Sequence, residues 1–481
     1  MSIDLMLSVV STGIILAAMA ASAIHVVMYK RDVRAAIGWV GLIGFAPVLG
    51  IVLYWTFGIN RIQRKAKSLF SGVQPVALPF EQGVLYPSSL QREIGSEAEQ
   101  LPQLARLTGR VTVNPLMAGN HFDPLVNGDE AYPAMLQAIE EAEHSITLTT
   151  YIFDNDHWGQ RFRKALANGV RRGVEIRVLI DDIGARYAFP SIVRGLRRDG
   201  VTVSRFMRSI KPWRFRYYNL RSHRKILVVD GRKGFTGGMN IRCGNVLRDN
   251  PKHPVQDIHF SVQGPVVAEL QKAFAEDWMF TTGEELTGEL WFPELSAKGK
   301  AVARGISDGP DEDYDKLRLV ILGALSCAKR SVRIASPYFL PDEELSLALR
   351  VAALKGVEVE IFQPAVNNLR MVKWAATAHY EELLGGGCTI WHTPPPFDHT
   401  KLMLVDDLWV LLGSANWDPR SLQLNFEFNV EVYDSSLAER VNDILAAKRR
   451  HAQRLSLDAL QSRSMPVRFR NNLFRLASPY L

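Results

Sequence analysis

Two short segments of this chain carry the same reactive pattern. His223 is followed by Lys225 and Asp230, and His399 by Lys401 and Asp406, at identical spacing. An apolar run, Ile-Leu-Val-Val or Leu-Met-Leu-Val, separates lysine from aspartate in each copy. In a strand, positions i and i+2 point to one face, so each copy presents an imidazole beside an ammonium. Further on come Gly237-Gly238-Met-Asn240 and Gly413-Ser414-Ala-Asn416. The glycines allow a tight turn or close backbone approach, and the asparagines supply donors and acceptors.

This set suits a phosphodiester. Lys225, Lys401, Asn240 and Asn416, with the backbone at Gly238 and Ser414, could bind and neutralise nonbridging phosphoryl oxygens. One imidazole could attack phosphorus while the other protonates the leaving alcohol. A histidine nucleophile also needs a partner on its second ring nitrogen. Asp257 follows His223 by 34 residues and Glu427 follows His399 by 28, and each opens a strand-like run; these are read as the orienting carboxylates. Asp230 and Asp406 complete the motif and are counted with its catalytic set, although they could hold strand-to-turn geometry instead. His223 is read as the nucleophile and His399 as the acid/base, in a site whose duplication makes the roles nearly symmetric.

The elements that carry these residues are themselves repeated. Ser145-Ile-Thr-Leu-Thr-Thr-Tyr-Ile-Phe is matched by Ser331-Val-Arg-Ile-Ala-Ser-Pro-Tyr-Phe, and Arg172-Gly-Val-Glu-Ile-Arg-Val-Leu-Ile by Lys355-Gly-Val-Glu-Val-Glu-Ile-Phe. With the histidine motifs, that makes three blocks in one order at an offset of roughly 180 residues, an internal duplication. Strands alternating with amphipathic stretches predict an α/β fold. One repeat is expected over 110–290 and the other over 310–450, joined at 305–315. Equivalent strands meeting across a pseudo-twofold axis would place both histidines and both lysines in one cleft.

The chain has 481 residues, is 47% hydrophobic and carries a net charge of +7, which fits anionic partners. Its three cysteines, Cys243, Cys327 and Cys388, are far apart and suggest neither a disulfide framework nor a zinc site. Residues 5–28 and 35–59 contain no Asp, Glu, Lys or Arg, and each stretch is long enough to cross a bilayer. A transmembrane hairpin is expected over 1–60, with a linker over 61–109. Three Lys or Arg in the hairpin turn and four after it (Arg61, Arg64, Lys65, Lys67) lean slightly toward a cytoplasmic catalytic part. Basic and aromatic residues alternate from Lys211 to Arg221 and suit lipid head groups. The basic tail, 451–481, reads equally as an interfacial amphipathic helix or a packed terminal helix.

The paired motifs resemble those of the phospholipase D superfamily. The chain is similar, within it, to bacterial cardiolipin synthases. The resemblance covers the apolar N-terminus, Phe57-Gly-Ile-Asn-Arg-Ile, Tyr151-Ile-Phe-Asp, Pro337-Tyr-Phe-Leu-Pro-Asp, Gly413-Ser-Ala-Asn-Trp-Asp-Pro-Arg-Ser and Asn425-Phe-Glu-Phe-Asn-Val-Glu-Val-Tyr-Asp. His399-Thr-Lys stands where His-Ser-Lys is more usual, and Asn416-Trp417 is followed by Asp418-Pro419, where many relatives differ. The resemblance implies two α/β/α sandwich repeats and a ping-pong phosphatidyl transfer through a phosphatidyl-histidine, without metal or cofactor. Phosphatidylglycerol would be donor and acceptor, giving cardiolipin and glycerol at a bacterial inner membrane, with the chain multi-pass and without nucleic acid. The alternative is a phospholipase D-type hydrolase, or a transphosphatidylase using another acceptor.

Overall fold

The structure is a computed structural model that describes residues 3–30, 32–58, 83–95, 99–208, 220–309 and 315–478. Arg61, Arg64, Lys65, Lys67, the basic-aromatic stretch from Lys211 to Asn219 and residues 310–314 of the expected 305–315 connection lie outside these residues, while 305–308 of that connection belong to strand Ala301–Asp308. The chain forms two compact units, Met1–Leu69 and Phe70–Leu481.

In the first unit, a helix spans Ile3–Tyr29, and its segment Met6–Tyr29 is long and apolar enough to cross a membrane. At 1.5 Å per residue the whole helix is about 40 Å long. The second apolar stretch, expected as a single span, is divided into helices Val33–Phe45 and Pro47–Leu53. Pro47 has no N–H to donate and its ring collides with the preceding turn, so the helix breaks at Ala46, where φ is −134° and ψ 73°. The helices pack through Val26, Ile43 and Tyr54, while Ile14, Ile24, Val27 and Val48 stay exposed, an outward apolar surface suited to lipid.

The second unit is built twice from one plan. The first repeat orders its strands as Leu116–Val126, Ile258–Gln263, Lys233–Gly237, Ile226–Val229, Ser145–Thr150, Glu175–Asp181 and Thr202–Phe206. The second orders Ala301–Asp308, Asn425–Tyr433, Trp409–Gly413, Leu402–Val405, Ser331–Ala335, Glu358–Pro364 and Thr389–Thr393 in the same way. The last three strands of each series are parallel, which requires crossover segments; helices His157–Arg171 and Glu343–Leu354 supply the first crossover in each. Asp156 and Asp342 cap these two helices, accepting from Gly159 N and Leu345 N. The first strands of the two series pair antiparallel, Ala301 with Asn120 and Ala303 with Met117, and join the sheets.

The alternation of the motif strands decides which core each residue enters. Leu227 and Val229 face the outer helices of the first repeat, and Met403 and Val405 those of the second. Ile226, Val228, Leu402 and Leu404 point instead into a shared core between the sheets, together with Phe260 and Phe428. Helices Val267–Thr282 and Ser435–His451 contribute to this core through Leu270 and Val441. Each is tied to a motif by a buried ion pair: Arg224 to Asp277 at 2.9 Å, and Lys448 to Asp398 at 2.7 Å.

Candidate active site

Each histidine is reached by a two-residue strand that leaves its own repeat. Arg221–Ser222 pairs parallel with Asn425–Phe426 of the second repeat, and Phe397–Asp398 pairs with Val255–Gln256 of the first. The ladders extend one step further: His223 N donates to Phe426 O and His399 N to Gln256 O, both at 2.8 Å. The residue after each acceptor is a carboxylate, Glu427 or Asp257. The partners are therefore exchanged between repeats. His223 Nδ1 lies 3.0 Å from both oxygens of Glu427, and His399 Nδ1 lies 2.8 Å from Asp257 Oδ2. Sequence spacing identifies both carboxylates but not this crossing, which depends on the register of the two short ladders.

The carboxylates are fully buried, whereas the His223 and His399 side chains keep 12% and 13% of their surface. Nδ1 donating to a carboxylate leaves Nε2 as the reactive nitrogen. Lys225 Nζ donates to His223 O at 2.6 Å, and Lys401 Nζ to His399 O. Lys401 Nζ also lies 2.9 Å from His399 Nδ1.

Burial and these neighbours set the protonation states. Burial lowers the pKa of His223, and Glu427 opposes the shift. Burial and then Lys401 push His399 down to about 4. Burial brings Lys225 to about 7 and Lys401 to about 8, although Glu427 and Asp257 favour their charged forms. Burial pushes the Asp257 and Glu427 carboxyls up, but lysine and histidine neighbours outweigh it and hold both below the ordinary range. The result is two imidazoles, two ammoniums with lowered pKa values and two carboxylates in one buried network, able to bind an anion and move a proton.

Asp230 and Asp406 stand apart from this network. Each is about 17 Å along its strand from the motif lysine. Asp230 takes the N–H groups of Glu143, His144 and Ser145, and Asp406 those of Lys329, Arg330 and Ser331. Their φ values of 50° and 54° place them in hairpin turns. They anchor the start of a neighbouring central strand, which corrects their inclusion with the catalytic set.

The expected phosphate-binding residues divide. Asn240 accepts Ile152 N–H through Oδ1 at 3.0 Å, leaving its NH2 as the donor for a ligand. Asn416 directs Nδ2 to Ser421 Oγ at 3.1 Å, while its buried Oδ1 takes no hydrogen bond among the described residues. The Ser414 hydroxyl donates to Glu427 and supports that carboxylate. A Cβ at its counterpart Gly238 would lie 2.6 Å from Asp257 Oδ1, so the close approach requires glycine there.

Tyr151 and Tyr338 were not singled out as site residues by sequence reasoning. Their rings sit edge-on to His223 and His399, with centroids 5.4 and 6.4 Å apart. Their presence in both copies of one repeated block was the available signal. Asp181 is also new: it accepts Ser222 N–H at 3.0 Å and braces the segment entering His223. Among the described residues, no group of three or more His, Cys, Asp or Glu side chains is placed to hold a metal ion.

A duplicated α/β unit with two crossed histidine–carboxylate pairs defines a phosphodiester-handling class. The family described as "Cardiolipin synthase, PLD-like domain" matches residues 135–278 and again 321–448, and that described as "Phospholipase_D-nuclease N-terminal" matches 17–58. The cardiolipin synthase of Geobacillus kaustophilus is 33% identical over 463 residues, covering 95% of this chain and 91% of the relative. The major cardiolipin synthase ClsA of Bacillus subtilis is 30% identical, covering 94% and 95%. The crystal structure of phosphatidylserine synthase from Haemophilus influenzae superposes with a TM-score of 0.60 at 18% identity, covering 79% of this chain and all of that one, a likeness of fold. The chain belongs to the cardiolipin synthase family of phospholipase D-like proteins.

Proposed function

We infer that this protein is a phosphatidyltransferase that makes cardiolipin from two molecules of phosphatidylglycerol. The observation that carries the reading is the exchange of carboxylates between the two histidines, which makes one site from both repeats. Near-full-length similarity to cardiolipin synthases supports the substrate class. His223, Lys225, His399 and Lys401 act on the substrate, and Asp257 and Glu427 orient the imidazoles.

In the first half-reaction, His223 Nε2 attacks phosphorus. The bond to the glycerol head group breaks, and protonated His399 gives its proton to the departing oxygen. Lys225, Lys401 and the Asn240 amide balance the charge on the phosphoryl oxygens. In the second, the hydroxyl of another phosphatidylglycerol gives a proton to His399, attacks phosphorus and releases His223. The environments favour these roles. The phosphoimidazolium is cationic and needs Glu427, held at 3.0 Å on both oxygens. Positive charge on His399 is opposed by nearby Lys401, which makes its imidazolium the stronger acid. The anionic substrate offsets that repulsion when it binds.

The Ile3–Tyr29 helix supports membrane attachment. We propose that the chain is multi-pass, with the divided 33–58 segment returning through the bilayer and the catalytic unit on the cytoplasmic side. A protease-cleavable C-terminal tag should be protected in intact spheroplasts and cut in inverted vesicles; the opposite pattern contradicts the orientation. Mass spectrometry of products from labelled phosphatidylglycerol tests the function. Cardiolipin and glycerol in equal amounts are expected. Phosphatidic acid as the sole lipid product would assign a hydrolase instead.

A further inference from the structure

Beside the catalytic network lies a groove of about 530 Å³ in the second repeat. It opens at the carboxyl ends of the parallel strands Glu358–Pro364 and Thr389–Thr393, where open α/β sheets take ligands. Helix Arg370–Gly385 forms one wall, and Arg463 with helix Met465–Leu476 forms another. Pro337 and Phe339 also line it and flank Tyr338, the tyrosine that touches His399.

Arg370, Lys373, Arg463 and Arg470 all line the groove, and no Asp or Glu does. None of the four forms an ion pair among the described residues. Several buried or half-buried arginines elsewhere in this unit are paired with carboxylates: Arg163 with Asp199, Arg224 with Asp277, and Arg304 with Glu431. Burial and then Arg463 hold Lys373 below its ordinary value, and burial, Lys373 and Arg463 push His392 in the groove down to about 4. Arg370 is exposed and the other three cations of the groove are half-buried; Lys373 Nζ donates to Ala365 O and Arg470 to Asn471 Oδ1, neutral acceptors that leave the clustered positive charge to attract an anion. The groove is also fixed in shape. Arg470 stacks over Trp374 at 4.4 Å, and Phe474 packs against the same ring at 5.0 Å. The helix starting at Arg370 has no side-chain cap, so its first-turn N–H groups remain available. Exposed Val366, Leu369 and Met371 adjoin one side, and Phe469 and Leu473 the other, an apolar rim that fits acyl chains and not a soluble anion.

We propose that this groove is a second lipid-phosphate site, which holds the anionic head group of a phospholipid next to the histidine pair. The proposal rests on the reading of the substrate as a phospholipid.

The test uses the full chain in detergent. Short-chain dihexanoyl-phosphatidylglycerol, dihexanoyl-phosphatidylcholine and inorganic phosphate are titrated separately, following the tryptophan emission that Trp374→Phe removes. Saturable binding of the phosphatidylglycerol is expected, with the other two at least about tenfold weaker, as loss of one charge-assisted contact or a missing acyl chain implies. Arg463→Gln should weaken it about tenfold and raise KM for phosphatidylglycerol with kcat little changed, and Arg463→Lys should restore most of the affinity. Equal binding of inorganic phosphate would make the groove a free-phosphate site, and equal binding of the phosphatidylcholine would remove the role of charge. Unchanged binding in Arg463→Gln would also overturn the proposal. The titration is repeated in His399→Ala. Turnover surviving that change would refute the catalytic reading without touching the groove; binding that persists without turnover separates the two.

Discussion

His223 and His399 share chemistry but not surroundings. Glu427 meets His223 with both oxygens and is itself held by Ser414 and by Asn425 Nδ2 at 3.1 Å. Asp257 meets His399 with one oxygen while its other takes Ile258 N–H at 2.8 Å. Glu427→Gln should therefore lower kcat by about 100-fold with little change in KM, because the imidazole loses its orienting charge; steady-state kinetics on phosphatidylglycerol checks this. The lysines predict a pH dependence. Lys225 and Lys401, brought to about 7 and 8, carry their charge below those values and lose it above them. For the free enzyme, loss of the two ammoniums should lower kcat/KM by about tenfold per unit between pH 7 and 8 and by about a hundredfold per unit above pH 8. On the acid side, burial places the His223 pKa below its ordinary value, so the decline should begin below pH 6.5. A profile that rises through pH 9 would contradict the role given to the ammoniums.

At the scale of elements, much was legible and two features were not. Short apolar runs such as Ile226–Val229 and the repeated Ser145 and Ser331 blocks disclose strands, because such a run is a local property of the sequence. The duplication disclosed two equivalent half-sites. Which carboxylate serves which histidine was hidden, because it is decided by ladders between residues about 200 positions apart, as in His223 with Glu427. The role of Asp230 was equally hidden, since only the fold brings the N–H groups of Glu143, His144 and Ser145 to its carboxylate. Asp230→Ala should lower unfolding stability by about 2 kcal/mol by releasing three backbone N–H groups, while folded protein keeps its kcat. Arg224→Met should be more damaging, at about 3–5 kcal/mol, because it leaves buried Asp277 without its partner. Denaturant unfolding in detergent measures both. The apolar N-terminus was legible as membrane-seeking, but the break at Pro47 makes its second half two short helices.

Across the whole catalytic unit, the site exists only because two repeats interlock, and the seam between them carries buried charge. Glu269, on the helix Val267–Thr282, accepts the N–H of Gly305 from the first strand of the second repeat. Burial raises its carboxyl to about 8, well above an unfolded glutamate. The sign follows: the folded state prefers the protonated form, so this stabilisation is complete below pH 4.5 and is lost as pH rises toward 8. Glu269→Gln keeps an acceptor for Gly305 and cannot ionise. It should raise stability at pH 8 by about 1 kcal/mol or more and flatten its decline between pH 5 and 8. Unfolding curves across that range check it. Arg370, Lys373, Arg463 and Arg470, which line the groove proposed to hold a lipid head group, all belong to the second half of this unit.

The proposed reaction is a covalent phosphatidyl transfer through the crossed pair. Its most direct test is an acid quench of the full chain turning over phosphatidylglycerol, followed by peptide mass spectrometry. A phosphatidyl adduct is expected on the peptide containing His223, absent in His223→Ala. Cardiolipin formed with no such adduct, or an adduct carried by His399 alone, would contradict it.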